Sequence, residues 1–305
     1  MAPSTARFML IFAALLGSSA ALAAQRTYDK TLQAPPGGQL SFDTAVGSVA
    51  VVGHDTQDVV IHAELQGSES FLNQIRISAE QTPSGVSVSA QSASGRGWFS
   101  GFLWSGSRGR ARFTIEVPRA YPVVLRTAGG SVRVNDLNAS IHARTSGGSA
   151  TIQNIAGAVD LRTSGGGIEV EHLSGPADLG SSGGSVDIKD SAGDLELNTE
   201  GGSVRLQNDD GKIDASTSGG SVLAELRVNR GISLRTSGGG ITLRLPPDAH
   251  GSIDATSDGG GIAFDFPLST TQIDGDSHLV GTIGGGGLPI SLQSSGGSIH
   301  VTPDR

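Results

Sequence analysis

LRTSGGGIEVEHLSG, residues Leu161 to Gly175, has relatives of its first six letters along the chain: ARTSGG, LGSSGG, LNTEGG, ASTSGG and a second LRTSGG. These turns start at Thr127, Thr145, Thr163, Ser181, Thr199 and Thr217, each 18 residues apart, and then at Thr236 and Thr256 after 19 and 20. A period this strict signifies stacked structural units. Between turns, pairs such as Val132/Val134, Ile168/Val170, Val186/Ile188 and Val204/Leu206 alternate with polar residues. A second set does the same, at Ile141/Ala143, Val159/Leu161, Leu195/Leu197 and Ile232/Leu234. Period-two alternation marks a half-buried strand. A further glycine divides the two sets, at Gly157, Gly175, Gly193, Gly211, Gly231 and Gly251. Two short strands and two turns per 18 residues make one coil of an all-β, single-stranded parallel β-helix or β-roll solenoid. Each strand then pairs with its counterpart one coil away at about 4.8 Å, so about eight coils predict a rod about 40 Å long. A β-sandwich is the alternative, but it requires hairpins and antiparallel pairs, and its strands rarely hold such an identity in register.

The corner explains its own composition. The chain must reverse within a few residues while stacking on copies of itself, and positions that need positive φ or lack room for a Cβ fall to Gly. The preceding Thr or Ser can bond local backbone groups. A phosphate-cradling loop would need a following helix and usually a Lys, and neither is present. Calcium-binding β-rolls place an Asp in the turn, a role only Asp258 approaches. The column Thr145, Thr163, Thr199, Thr217, Thr236 lies at corners rather than on a flat strand face, which does not suit an ice-binding array.

The 305 residues include 46 Gly, 2 Trp, 2 Tyr and no Cys, with 36% hydrophobic residues. A thick conventional core is excluded by the glycine content and wholesale disorder by the regular apolar positions. Arg7, the apolar run Phe8 to Leu16 and the small residues ending in Ala21, Leu22 and Ala23 have the layout of a signal peptide over residues 1–24, cleaved after Ala23 or Ala24. The run is short for a membrane anchor, since a span takes about 20 residues. Loss of Arg7 takes the net charge from −8 to −9. The absence of Cys excludes a lipobox and disulfide staples. With no second apolar run, the mature chain is expected to lack a transmembrane segment and to be periplasmic, secreted or held at the cell envelope. The organisation reads as one continuous solenoid from about residue 40. N-terminal strands and irregular coils occupy 25–120, with an inserted loop at 92–112, and regular repeats with irregular final coils occupy 121–305.

Function is sought where the repeat varies. The loop SASGRGWFSGFLWSGSRGRAR holds both tryptophans: Trp98, Phe99, Phe102 and Trp104 sit among Gly and Ser, flanked by Arg96, Arg108, Arg110 and Arg112. In an acidic chain this is a local reversal of sign. Aromatic residues beside Arg suit a lipid headgroup, an anionic glycan or a partner protein. The same loop could instead cover an open end of the solenoid. A second candidate is the outward column Asp160, Asp178, Glu196 and Asp214, either a solvated face or a strip for a cation or a basic partner. DGDSH at Asp274 to His278 lacks the remainder of a metal-ligand set and reads as a turn. No cofactor or metal centre is expected, and nucleic acid suits an exported acidic chain poorly.

Seven scattered His, no HExxH, no GxSxG and no thiol give no recognisable catalytic constellation. A carbohydrate-active lyase or hydrolase on a β-helix is the enzymatic alternative, with carboxylates of the acidic column as its only candidates. The repeated TSGGSV, the ARFTIEVP lead-in, the VVLRTAGGSVRV that follows it and the closing IGGGGLPISLQSSGGSIHV resemble the bacterial domain-of-unknown-function family labelled putative adhesins, over about Leu40 to Val301. The resemblance implies a single-stranded β-helix in envelope or exported proteins and brings no catalytic residues. The expectation is a non-enzymatic binding or structural surface whose partner is an unidentified envelope component.

Overall fold

The computed structural model of the chain describes residues 24–92, 109–269, 271–274 and 277–304. Two sheets of 13 and 14 strands face each other across a narrow apolar core. Eleven strands of each sheet run parallel, giving eleven stacked coils and a rod about 50 Å long at the usual strand spacing.

One coil shows why the sequence makes this shape. Val159–Thr163 lies in the larger sheet with the burial pattern BiBiB, so Val159, Leu161 and Thr163 point inward. The chain turns through Ser164 to Gly167 and enters the smaller sheet as Ile168–Ser174, burying Ile168, Val170 and Leu173. Pairing is in register with the coils on both sides: Val159 stands opposite Ile141 and Ala177, and Ile168 opposite Ala150 and Val186. The 18-residue period thus places identical columns of side chains along the rod.

The corner glycines owe their identity to close approach. A Cβ at Gly148 would lie 2.1 Å from the carbonyl oxygen of Gly130 one coil below, and Gly148 is not among the positive-φ residues. Positive φ is found at half-coil glycines such as Gly175, Gly193 and Gly231, and also on non-glycine residues of the smaller sheet, at Asp136, Asn154, His172, Asp190 and Asn208, with φ of 55° to 62°. Asn, Asp and His tolerate this region better than other side chains. Here they stack: Asn154 donates to Asp136 at 3.0 Å and Asn208 to Asp190 at 3.1 Å.

The buried Thr or Ser of each corner works in two directions. Thr163 Oγ1 donates to the Gly148 carbonyl of the coil below at 2.9 Å and accepts from Gly166 N at 3.3 Å. Ser181 does the same with Gly166 and Gly184, and Thr199, Thr217 and Thr236 continue the ladder. In the coil after Thr236 this position belongs to Ser257, which is buried and accepts from Gly260 N, rather than to the Thr256 that the spacing suggested. The extra residue in TSDGG shifts the corner by one.

Chain order departs from spatial order at both ends. The coil Gln39–Thr44/Ser48–His54 stacks directly on Val123–Thr127/Val132–Leu137, and Gly85–Ser92/Gly109–Pro118, later in the chain, stacks outside it. At the other end the last coil, Pro289–Ser294/Ile299–Pro303, lies between Ile232–Thr236/Ile241–Leu245 and Gly251–Ser257/Ile262–Phe264. The closing LPISLQSSGGSIHV is therefore a regular coil, but it is inserted into the rod rather than placed at its tip. The hydroxyl ladder follows the same order, with Ser294 donating to Gly239 and Ser257 to Gly297.

The ends are covered by antiparallel elements. Ala24–Gln33 pairs with Asp58–Gly67, and Arg26 and Lys30 reach across to the carbonyls of Ile75 and Ala79 on the opposite edge strand. The short helix Glu69–Gln74, capped by Ser68 Oγ, buries Phe71 and Leu72. At the far end Thr271–Asp274 and His278–Ile283 form an antiparallel pair against Gly251–Ser257.

Candidate functional site

Corner hydroxyls and inward columns are used up by the architecture, so chemistry is left to the outward positions of each five-residue strand in the larger sheet. There are two such positions per strand, the second and the fourth, and parallel register turns each into a column. The second position gives His142, Asp160, Asp178, Glu196 and Asp214 on successive strands. The fourth gives Arg126, Arg144, Arg162, Gly180 and Asn198, nearer the corner.

The acidic column is partly neutralised within the chain. Asp160 pairs with His142 Nδ1 at 2.8 Å and with Arg162 at 3.6 Å, Asp178 pairs with Arg162, and Asp214 pairs with Arg235 at 3.0 Å. Glu196 stands exposed between Asp178 and Asp214. The contact with Asp178 raises the Arg162 guanidinium's affinity for its proton further. The four carboxylates form a row rather than a convergent nest, and among the described residues no three His, Asp or Glu side chains cluster as a metal site. They line a groove of about 680 Å³ together with the half-coil turns at Ala158, Pro176 and Lys212.

A second groove, of about 500 Å³, runs along the corner side of the same face. Its walls hold Arg126, Arg144 and Arg162, the corner Thr and Ser residues, and Ser146, Ser164 and Ser182. Arg126 and Arg144 are exposed and neither is in an ion pair among the described residues. None of these three arginines stands out in the sequence as a site residue. The signal was present in the repeat itself, as the letter before each corner Thr.

Of the aromatic loop, Trp98, Phe99, Phe102, Trp104, Arg96 and Arg108 lie outside the described residues, as do residues 1–23 of the expected signal peptide. Arg110 and Arg112 are described: both are exposed on Gly109–Pro118, in register with Gln66 and Glu64 of Asp58–Gly67. Among the described residues, the covering of this end of the core comes from Phe71 and Leu72, and the Phe71 ring packs directly over Gly109.

A flattened parallel solenoid with a polar, column-patterned outer face is the class this geometry defines. The chain belongs to the Toastrack DUF4097 family, whose profile matches residues 39–302. Similar solved structures include a putative lipid binding protein from Parabacteroides distasonis, 12% identical over 91% of this chain and 96% of that one, with a TM-score of 0.44. A putative adhesin from the same organism is 11% identical over 91% and 97%, with a TM-score of 0.41. Another from Bacteroides fragilis is 11% identical over 91% and 97%, with a TM-score of 0.39. No curated protein matches the chain. No helix among the described residues is long and apolar enough to cross a membrane.

Proposed function

We propose that the protein is an exported, non-catalytic binding module of the bacterial cell envelope, acting through the surface of its rod. The observation that carries this reading is the division of labour along the repeat. Core and corner columns are spent on stacking, whereas the outward columns of the larger sheet carry charged side chains arranged in lines. Carboxylates of the acidic column are tied to His142, Arg162 and Arg235, which suits a structural surface better than a general acid and base poised over a bond. Export is supported by the layout of residues 1–24, and cleavage after Ala23 would leave the edge strand Ala24–Gln33 whole. The loop of Trp98 and Trp104 is assigned to binding, because Phe71 and Leu72 already cover the core at that end.

The test is sedimentation of the purified mature chain with envelope fractions. Wild type is expected to co-sediment and Trp98→Ala/Trp104→Ala to lose at least tenfold in apparent affinity while its circular dichroism is unchanged. Equal binding by the folded double variant would remove the loop from the binding surface. Turnover of an envelope glycan, abolished by Asp178→Asn or Glu196→Gln, would replace the non-catalytic reading by the enzymatic one.

A further inference from the structure

The corner-side groove has a composition unlike the rest of this acidic molecule. In-register pairing sets Arg126, Arg144 and Arg162 opposite one another on three neighbouring strands, so their Cα atoms follow the strand spacing of about 4.8 Å. Like charges placed this way repel. Arg162 is relieved by Asp178, and it also donates to the Asp178 carbonyl at 2.9 Å and the Leu161 carbonyl at 3.3 Å. Its side chain lies over Gly180, where a Cβ would come within 2.7 Å of Arg162 Cδ. The departure of LGSSGG from LRTSGG thus makes room for Arg162 and ends the basic column. Arg126 and Arg144 are in no ion pair among the described residues, and only Arg126 has a carboxylate in register beside it, Asp43. Ser146, Ser164 and Ser182 line the same groove with exposed side chains, and their backbone N–H groups are already bonded to Thr127, Thr145 and Thr163.

We propose that this groove is a binding site for a short anionic stretch of a linear acidic glycan, with Arg126 and Arg144 holding successive carboxylate or sulfate groups and the serine hydroxyls bonding the sugar. The inference deepens the binding-surface reading and rests on it. A guanidinium meets a carboxylate or sulfate with paired N–H donors. The lining contains only Arg, Thr, Ser, Gly, Asn and Glu, so no aliphatic or aromatic side chain is offered to acyl chains, which favours a sugar over a bilayer. Carboxylates bound the site: Asp43 is in register with Arg126 at one end and Glu200 lines the other, so a ligand is read over about three coils. The net charge of −8 opposes non-specific polyanion binding, so the site must act locally.

The experiment is calorimetric titration of the full mature chain with oligogalacturonate, dextran sulfate, neutral dextran and vesicles containing phosphatidylglycerol. Wild type is expected to bind the first two with an affinity that falls as salt rises, and to ignore neutral dextran. Arg126→Gln/Arg144→Gln should weaken that binding at least tenfold, whereas Arg235→Gln, which removes an arginine paired with Asp214, should leave it within twofold. The double variant should also melt at a temperature equal to or above that of wild type at low salt, since it removes a repulsion. Undiminished polyanion binding by the melted-and-checked double variant overturns the site. Binding to the vesicles alone overturns the glycan and makes the surface a membrane contact. Retained sedimentation of the double variant with envelope fractions, alongside lost oligogalacturonate binding, would leave the general binding reading standing on the loop.

Discussion

Asp209 is the residue least explained by the repeat. It sits in an inward column whose other members are Leu137, Ile155, Leu173, Ser191 and Leu226, and it is 1% exposed. Its Oδ1 accepts from Ser191 N at 3.1 Å and from Ser191 Oγ, and Oδ2 has no partner among the described residues. Burial pushes its pKa up to about 6, the Ser191 bonds and Arg227 pull the other way, and Asp190 adds to the rise. Because the folded state holds the proton more tightly than the unfolded chain, the acid contributes no penalty below about pH 4. Stability is then lost as pH rises toward 6, by about 3 kcal/mol at 1.36 kcal/mol per pKa unit. Asp209→Asn keeps an acceptor for Ser191 and cannot ionise. Urea unfolding of the two proteins should show the variant gaining about 3 kcal/mol relative to wild type between pH 4 and pH 7. A constant difference across that range would place the ionised form at ease in the core. Nothing in LQNDDG marks the first Asp as buried. The preceding Asn208 takes a left-handed conformation, and the pairing shifts between Gln207 and Asp209, so a residue that simple alternation puts outside is turned inward.

At the scale of the strand and its corner, the sequence was highly legible because one physical demand is repeated many times. Alternation in VDLRT gives the inward Val159 and Leu161, and the spacing of the corners gives the register. The hydroxyl ladder was legible only in half: a local bond from Thr to the turn was foreseeable, but the second bond, to the coil below, depends on a stacking distance that no single repeat contains. That pair of bonds predicts a graded response. Thr163→Val keeps the shape, removes the donor to Gly148 and strands the half-buried N–H of Gly166, which should cost about 1–3 kcal/mol in chemical denaturation. Thr163→Ser should cost less than about 1 kcal/mol, because Ser181 makes both bonds at 2.9 Å in the next coil. Equal losses for Val and Ser would mean that the methyl packing, not the hydroxyl, holds the corner. The outward columns were legible as lists of charges but not as grooves, since whether an arginine is paired depends on the strand beside it.

For the whole molecule, what the repeat conceals is order. Every coil presents the same edge to its neighbour, so periodicity cannot say whether the last coil in the chain is also the last in space. The structure shows that it is not: Pro289–Ser294 is paired on one side with Ile232–Thr236 and on the other with Gly251–Ser257, and Ile299–Pro303 bridges Ile241–Leu245 and Ile262–Phe264 in the same way. The C-terminus therefore acts as an internal layer, and Gly251–Phe264 has no parallel partner in either sheet without it. Deleting residues 289–305 should do more than shorten the rod. Hydrogen exchange is expected to show protection lost over residues 251–264 and 278–283, while coils from Val123 to Thr217 keep theirs, because solenoid stability is carried by nearest-neighbour contacts. In a rod whose chain order and spatial order agreed, the same deletion would fray only the end next to the cut and leave 251–264 protected. Retained protection there would show that Gly251–Ser257 can dock directly on Ile232–Thr236, so that the inserted layer is dispensable. The expected loss would instead make the C-terminal coil the piece that locks the distal end of the rod, formed only when the last residues of the chain are in place.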